Sequence, residues 1–142
     1  MKSMRYIIAF LALAGLVVSV LALRVHYSTG TEPCSINERW DCGVVNHSPF
    51  AEIYHLPVAV LGIVGYLALG GLGFARQRFL LFLVTLIGLG FALRLTFIEE
   101  YVLQVWCVYC VISQAIIGLL TILSLAWLAK EYRELKRACR PA

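Results

Sequence analysis

The stretch that decides the fold is CVYCVISQAIIGLLTILSLAWL, residues 107–128, in which no residue carries a charge. A helix rises about 1.5 Å per residue, so a stretch of this length covers the roughly 30 Å hydrocarbon core of a bilayer. Three further apolar stretches precede it, at residues 6–23, 56–74 and 79–97. Because backbone groups in lipid can only bond within the chain, each stretch is predicted to be helical. The sequence therefore predicts an all-α membrane protein, a four-transmembrane-helix bundle that forms a single domain over residues 1–142.

Composition agrees with a protein embedded in membrane lipid. Of the 142 residues, 61% are hydrophobic and only 14% are charged, and the mean hydropathy is +0.86. A soluble domain of this length needs more polar surface to cover its core. The net charge of +4 does not point to nucleic acid, because no run alternates basic and aromatic residues. We therefore expect no nucleic-acid partner.

The positions of the basic residues predict the orientation in the membrane. Nine of the twelve Lys and Arg residues lie before the first apolar stretch, between the second and third, or after the fourth, namely Lys2, Arg5, Arg76, Arg78, Lys130, Arg133, Lys136, Arg137 and Arg140. Cytoplasmic segments carry this excess of positive charge. Both termini are therefore predicted to be cytoplasmic, in a multi-pass protein of the plasma (inner) membrane. A cleaved signal peptide is the alternative for residues 6–23, but the cleavage-like triplet Ala12-Leu13-Ala14 falls in the middle of that stretch.

Two outer segments follow from this orientation, a long loop at residues 24–55 and a short one near residues 99–106. The long loop contains Pro33, Pro49, Gly30 and Gly43, so its regular structure is predicted to be short. A loop of that length on so small a protein usually has a function.

The motif Cys107-Val108-Tyr109-Cys110 opens the fourth apolar stretch at its predicted outer end. A spacing of three on a helix puts both sulfurs on one face, close enough to bridge. The positive partial charge of a helix N-terminus favours a thiolate. We therefore favour a redox-active pair, with inert thiols or a structural disulfide as the alternative.

The outer loop holds a second pair, Cys34 and Cys42. Two cysteines in such a loop most often form a structural disulfide. Because Cys107 and Cys110 are predicted at the same membrane face, the two pairs can also form a disulfide-exchange relay. A metal site shared by both pairs is disfavoured, since seven residues separate Cys34 from Cys42 and metal knuckles usually allow two to four. No metal is therefore predicted, and Cys139 is expected to be an incidental cytoplasmic thiol.

These motifs together resemble the vitamin K epoxide reductase family. The resemblance rests on Cys34 and Cys42, on Ser48 six residues later, and on Cys107-x-x-Cys110 at the start of the last of four helices. The stretch CGVVNHSPFA at residues 42–51, followed by Leu56-Pro57-Val58 and Gly62, is similar to the bacterial branch. Another four-helix family of quinone-coupled thiol oxidases carries its close and wide cysteine pairs in the reverse order.

The resemblance implies a membrane thiol oxidase that supports disulfide bond formation. It would pass electrons from a reduced disulfide-forming protein through Cys34 and Cys42, as a shuttle pair, to Cys107 and Cys110, as the catalytic pair. The final acceptor would be a membrane quinone of the ubiquinone, menaquinone or vitamin K type. Because the chain ends in a short basic tail, the thioredoxin-like partner is expected to be a separate protein on the extracytoplasmic side. The alternative from another class is a membrane assembly factor stapled by disulfides or a metal, without redox catalysis.

The resemblance also implies a quinone site. Ser48 is expected to cap a short helix over the quinone, and Phe50 and Trp106 to form walls, although such aromatic residues also populate the ordinary interfacial belt. By the resemblance, Val58 and Gln114 correspond to the positions that hold the vitamin K carbonyl groups in the vertebrate enzyme, and this departure favours quinone reduction over epoxide reduction. Gln114 lies four residues after Cys110 and is expected on the same helical face.

Four other polar residues have weaker indications. Arg94 is expected to reach the headgroups or to pair with an acidic residue such as Glu99, and otherwise to line the site. His26, His47 and His55 lie on the predicted outer side, where an ordinary surface role is favoured over a proton relay.

Overall fold

The computed structural model describes residues 2–141. Its elements, in chain order, are helix α1 (Lys2–Tyr27), helix α2 (Cys42–Asn46), a one-turn 3-10 helix (Pro49–Ala51), strands β1 (Glu52–Ile53) and β2 (Leu56–Pro57), helix α3 (Val58–Phe74), helix α4 (Arg78–Ile98), a π-helical turn (Glu99–Leu103) and helix α5 (Val108–Ala138). This architecture confirms the predominantly helical class predicted from the sequence.

The four long helices form a bundle in which α1 and α4 each pack against both α3 and α5. Its centre is a cluster of buried side chains that includes Ile8, Leu69, Leu81 and Leu120. Small residues let α1 and α3 approach closely, since a Cβ on Gly62 would lie 2.6 Å from Ser19 Oγ. Close approach through small residues is how helices associate where lipid removes the hydrophobic driving force.

The outer surface of the bundle is apolar. Large hydrophobic side chains are exposed along every long helix, among them Phe10, Val64, Ile87 and Ile122. Such a surface is unfavourable in water and favourable in lipid. Within residues 2–141, three helices are long and apolar enough to cross a membrane, namely Lys2–Tyr27, Arg78–Leu103 (α4 with its π-helical turn) and Val108–Ala138. Val58–Phe74 is a shorter apolar helix of 17 residues.

Two predicted helix ends were wrong because hydropathy marks the part of a helix in lipid, not the whole helix. α1 continues past Leu23 to Tyr27, where Val25 is buried against the cysteines of the outer loop. α5 continues past Leu128 to Ala138, in a charged segment that has good helix formers but no apolar signal. The long loop therefore begins at Ser28, later than predicted.

The second apolar stretch begins differently from the prediction. Leu56 and Pro57 form β2, which pairs antiparallel with β1, so α3 begins only at Val58. The turn between the strands has positive φ at Tyr54 (51°) and His55 (66°), a conformation that a helix does not allow. This hairpin is a small addition to the predicted all-α class.

One end of the bundle, which we call the basic end, joins the start of α1, the turn between α3 and α4, and the second half of α5. Arg5 donates to the carbonyl oxygen of Phe74 at 3.3 Å, and Arg78 pairs with Glu131 at 2.7 Å. The turn is tight because Arg76 takes a left-handed conformation, with φ 57°. The cysteine pairs of the outer loop and of α5 lie at the opposite end.

Candidate functional site

Four of the five cysteines come together at the end of the bundle opposite the basic end. Cys34, Cys42 and Cys107 are buried in one cluster, and Cys110 packs against it. Cys34 and Cys42 form a disulfide with their Cα atoms 5.7 Å apart, whereas Cys107 and Cys110 are free thiols. The two pairs that are distant in sequence are therefore neighbours in the structure.

Two backbone hydrogen bonds hold the outer loop over the start of α5. Trp106 N donates to Arg39 O at 2.8 Å, and Asp41 N donates to Trp106 O at 3.0 Å. The rings of Trp40 and Trp106 pack with their centroids 6.0 Å apart. Because Cys42 and Cys107 each directly follow a residue that makes these hydrogen bonds, the bonds fix the position of one cysteine pair relative to the other.

Helix α2 begins at Cys42 and is capped by Asp41. The Asp41 carboxylate accepts from Gly43 N at 2.8 Å, Val44 N at 3.3 Å and Ser35 Oγ at 2.7 Å. The hydrogen bond from the Ser35 hydroxyl, with those from the two backbone amides, lowers the pKa of Asp41 below its ordinary value. The cap stays ionised at neutral pH and orders the turn that carries Cys42.

Asn46, at the end of α2, links the two cysteine pairs, a role that the sequence reasoning missed. Its Nδ2 donates to Cys42 O at 2.9 Å and lies 3.6 Å from Cys107 Sγ. The side chain is buried and also lines the cavity described next. Its position four residues after Cys42, one helical turn away, is the signal that could have identified it.

A cavity of about 340 Å³ lies below the outer loop, inside the bundle. Its walls are mostly apolar side chains from α1, α3, α4 and α5. The predicted site residues Ser48, Phe50, Val58 and Cys110 all line it. Ser48 precedes the 3-10 helix, but its hydroxyl donates to Val45 O at 2.7 Å and does not cap that helix.

Glu99 is a second residue of the site that the sequence reasoning did not assign. It lines the cavity, is only 2% exposed, and its Oε2 accepts from Cys107 N at 3.2 Å. The Cys110 side chain lines the same cavity. An acidic residue at the end of an apolar stretch was the available signal.

Two predicted site residues lie elsewhere. Among residues 2–141, the cavity lining includes neither Trp106 nor Gln114; both line a separate groove between α4 and α5. Gln114 accepts a hydrogen bond from Thr96 on α4. Ser113, three residues after Cys110, faces the cavity instead and is bonded to Tyr66. The helical rotation that brings Cys110 to the cavity therefore turns Gln114 towards α4.

The remaining polar residues show one local network. His26 bonds to Asn46 O at 2.6 Å and to Glu52 at 3.1 Å, and His47 bonds to Ser28 O at 3.0 Å. These contacts tie the end of α1 to the outer loop. Arg94 is exposed, and within residues 2–141 it forms no ion pair with Glu99, contrary to one of the alternatives for it.

The described part of the chain offers no metal centre. Within residues 2–141, no group of three or more His, Cys, Asp or Glu side chains is arranged to hold an ion. Cys139 is a free, exposed thiol at the end of α5, far in sequence from the other four.

Comparison with models of known protein families identifies a match. The model of the vitamin K epoxide reductase family matches residues 6–125 of the 142-residue chain. This interval contains both cysteine pairs and every residue named in the cavity. A comparison with curated proteins gave no significant match.

Proposed function

The chain belongs to the vitamin K epoxide reductase family, and from this premise we propose that it is a membrane thiol oxidase that uses a quinone as electron acceptor. The family assignment implies redox chemistry of disulfides in a membrane. The observation that carries the finer proposal is the position of Cys110. Its side chain belongs both to the cysteine cluster and to the wall of the apolar cavity.

The cavity fits a quinone. Its volume of about 340 Å³ lies within the range of about 300–1,000 Å³ of small-molecule sites, which are mostly apolar with a few polar groups. Phe50 and Val58 would hold the ring and its substituents, and Ser48 and Asn46 supply polar groups on the same wall. A quinone bound there supplies a sink for two electrons and two protons.

Electrons enter through the outer pair. A thiolate of the reduced partner attacks Cys34 of the Cys34–Cys42 disulfide, and Cys42 leaves as a thiolate. The second partner thiol then displaces Cys34, so that the partner leaves oxidised and both cysteines are reduced. Cys34 is the suitable entry point because its neighbours Pro33 and Ser35 are exposed, whereas Cys42 is completely buried.

The inner pair receives the electrons by exchange. Cys42 attacks Cys107 of an oxidised Cys107–Cys110 pair, and Cys110 leaves as a thiolate at the cavity wall. Cys34 then attacks Cys42, which restores the outer disulfide and leaves Cys107 and Cys110 reduced. The combination of an outer disulfide with two inner thiols corresponds to this stage. Oxidation of the inner dithiol in the cavity closes the cycle.

The partner is proposed to be a separate thioredoxin-like protein on the extracytoplasmic side. The basic end would face the cytoplasm with both termini, because cytoplasmic segments carry the excess of Lys and Arg. The cysteine end would then face an oxidising compartment, where disulfides persist.

The experiment that tests the proposed function is a reconstituted turnover assay. The purified protein receives a reduced disulfide-forming protein and a short-chain quinone, and quinol formation is followed by absorbance. We expect quinol in proportion to oxidised partner, and none with Cys110→Ala. If the wild-type protein formed no quinol with any benzoquinone or naphthoquinone, the proposal would be wrong and a disulfide-stapled assembly factor would be favoured.

A further inference from the structure

Glu99 occupies an unusual place for a carboxyl group. It begins the π-helical turn after α4, it is 2% exposed, and one of its oxygens, Oε2, caps the start of α5 by accepting from Cys107 N. The other oxygen, Oε1, is buried, and none of the described residues 2–141 gives it a hydrogen bond. Capping therefore explains one oxygen and leaves the other without a structural role.

The surroundings do not neutralise the carboxylate. No Lys, Arg or His within residues 2–141 forms an ion pair with Glu99. The titratable groups close to it are the thiols of Cys107 and Cys110 on α5, with the phenols of Tyr109 and Tyr66 on the same cavity wall. An ionised carboxylate is costly in such a place, and ionisable groups inside membrane proteins usually mark functional sites, proton relays among them.

We propose that Glu99 carries a proton between the Cys110 thiol and the electron acceptor in the cavity, an inference that rests on the proposed function. When the inner pair is oxidised, the S–H bonds of Cys107 and Cys110 break and one S–S bond forms. The two electrons and two protons released go to the quinone. Oε1 of Glu99 accepts the proton of Cys110 and passes it on, and the second proton comes from Cys107. The Glu99 carboxyl therefore neither gains nor loses a proton over a complete cycle.

The discriminating variant is Glu99→Gln, which keeps an oxygen to accept from Cys107 N but cannot carry the proton. With a small dithiol as donor and a short-chain quinone, we expect turnover to fall on the order of 100-fold, the scale of general acid–base catalysis. Glu100→Gln is the matched control, because its carboxyl is the next along the chain and is not part of the cavity wall. It should keep turnover within about twofold of the wild type.

A second readout needs no quinone. The reduced protein is treated with iodoacetamide across a pH series, and mass spectrometry quantifies the label on Cys110. Removing a negative charge next to a thiol favours the thiolate, so in Glu99→Gln the labelling profile should move to lower pH by about one unit or more. A more reactive thiol combined with slower quinone reduction, at an unchanged melting temperature, is the signature of a lost proton carrier. The melting temperature is needed because damage to the fold would also expose the thiol and slow turnover.

A third variant separates proton transfer from packing. Glu99→Asp keeps the carboxyl, so it should retain the wild-type pH profile of turnover even if its rate is lower. Wild-type turnover in Glu99→Gln, or an unshifted labelling profile, would overturn the inference. Equal losses in the Gln and Asp variants with an unchanged pH profile would also overturn it, because they would indicate a packing role. A wild-type protein that reduces no quinone would instead refute the proposed function, and the proton carrier with it.

Discussion

Asn46 Nδ2 lies 3.6 Å from Cys107 Sγ and donates at 2.9 Å to the carbonyl oxygen of Cys42. One amide group therefore contacts both Cys42 and Cys107, the two residues between which electrons would pass from the outer pair to the inner pair. An N–H donor near Cys107 Sγ favours the thiolate that Cys107 becomes when Cys34 attacks Cys42 and completes the exchange. The contact spans 61 positions of sequence and depends on the fold of the outer loop.

The first prediction concerns this contact. Replacing Asn46 with Ala removes about 1 kcal/mol of net hydrogen bonding, which corresponds to roughly a five- to tenfold slower rate with a protein donor. A small dithiol that reduces Cys107 directly should be affected less. Quinol formation with each donor measures this, with Val44→Ala on the exposed side of α2 as the control. Equal rates for Asn46→Ala and the wild type would show that the contact has no part in transfer.

The second prediction separates shuttling from structural stapling. If Cys34 and Cys42 shuttle electrons, Cys34→Ala should abolish oxidation of a protein partner, which is too bulky to reach Cys107. A small dithiol should still drive quinone reduction. Cys42→Ala should in addition form a mixed disulfide between Cys34 and the partner when the oxidised partner is supplied, because Cys42 is no longer present to attack that bond. A parallel loss with both donors would instead identify the pair as a staple of the loop.

The third prediction tests the cavity with two matched glycines of α3. A Cβ added at Gly65 or at Gly71 would meet no atom within 4 Å, so both positions open into free space, and leucine should improve helix propensity equally at the two. Only Gly65 lines the cavity. We expect Gly65→Leu to raise the KM for quinone about tenfold or more and Gly71→Leu to leave it unchanged. Similar KM values for both variants would place the quinone elsewhere.

The fourth prediction concerns orientation. After mild reduction of intact cells, a membrane-impermeant thiol reagent should label the outer pair, with Cys34 the more accessible, and should not label Cys139. Cells permeabilised beforehand provide the control, because Cys139 is exposed and should then react. Labelling of Cys139 alone in intact cells would reverse the proposed topology.

The sequence predicts the helices well because lipid forces each apolar stretch to satisfy its own backbone. It also predicts the inner pair, Cys107 and Cys110, at the start of α5, since this follows from local spacing. It did not predict the extent of α5, because residues after Leu128 are helical without being apolar.

Residues whose role depends on packing were harder to predict. Gln114 was expected at the quinone site from the family resemblance, and on the same helical face as Cys110 from its spacing. It lies instead on the α4 side, where it accepts a hydrogen bond from Thr96. Asn46 and Glu99 reach the inner cysteines only through the folded outer loop and the π-helical turn. The local sequence does not determine those distances. The spacing of Asn46 from Cys42 and the position of Glu99 at the end of an apolar stretch indicated only that each residue could belong to the site.

The most direct test of the central claim is a single-turnover experiment under anaerobic conditions. The protein, prepared with Cys34–Cys42 oxidised and the inner pair reduced, is mixed with one equivalent of short-chain quinone and then quenched with an alkylating reagent. We predict one quinol for each Cys107–Cys110 disulfide found by mass spectrometry, with Cys139 still alkylated. Quinol formed while Cys107 and Cys110 remain reduced, or an inner disulfide formed without quinol, would contradict the account.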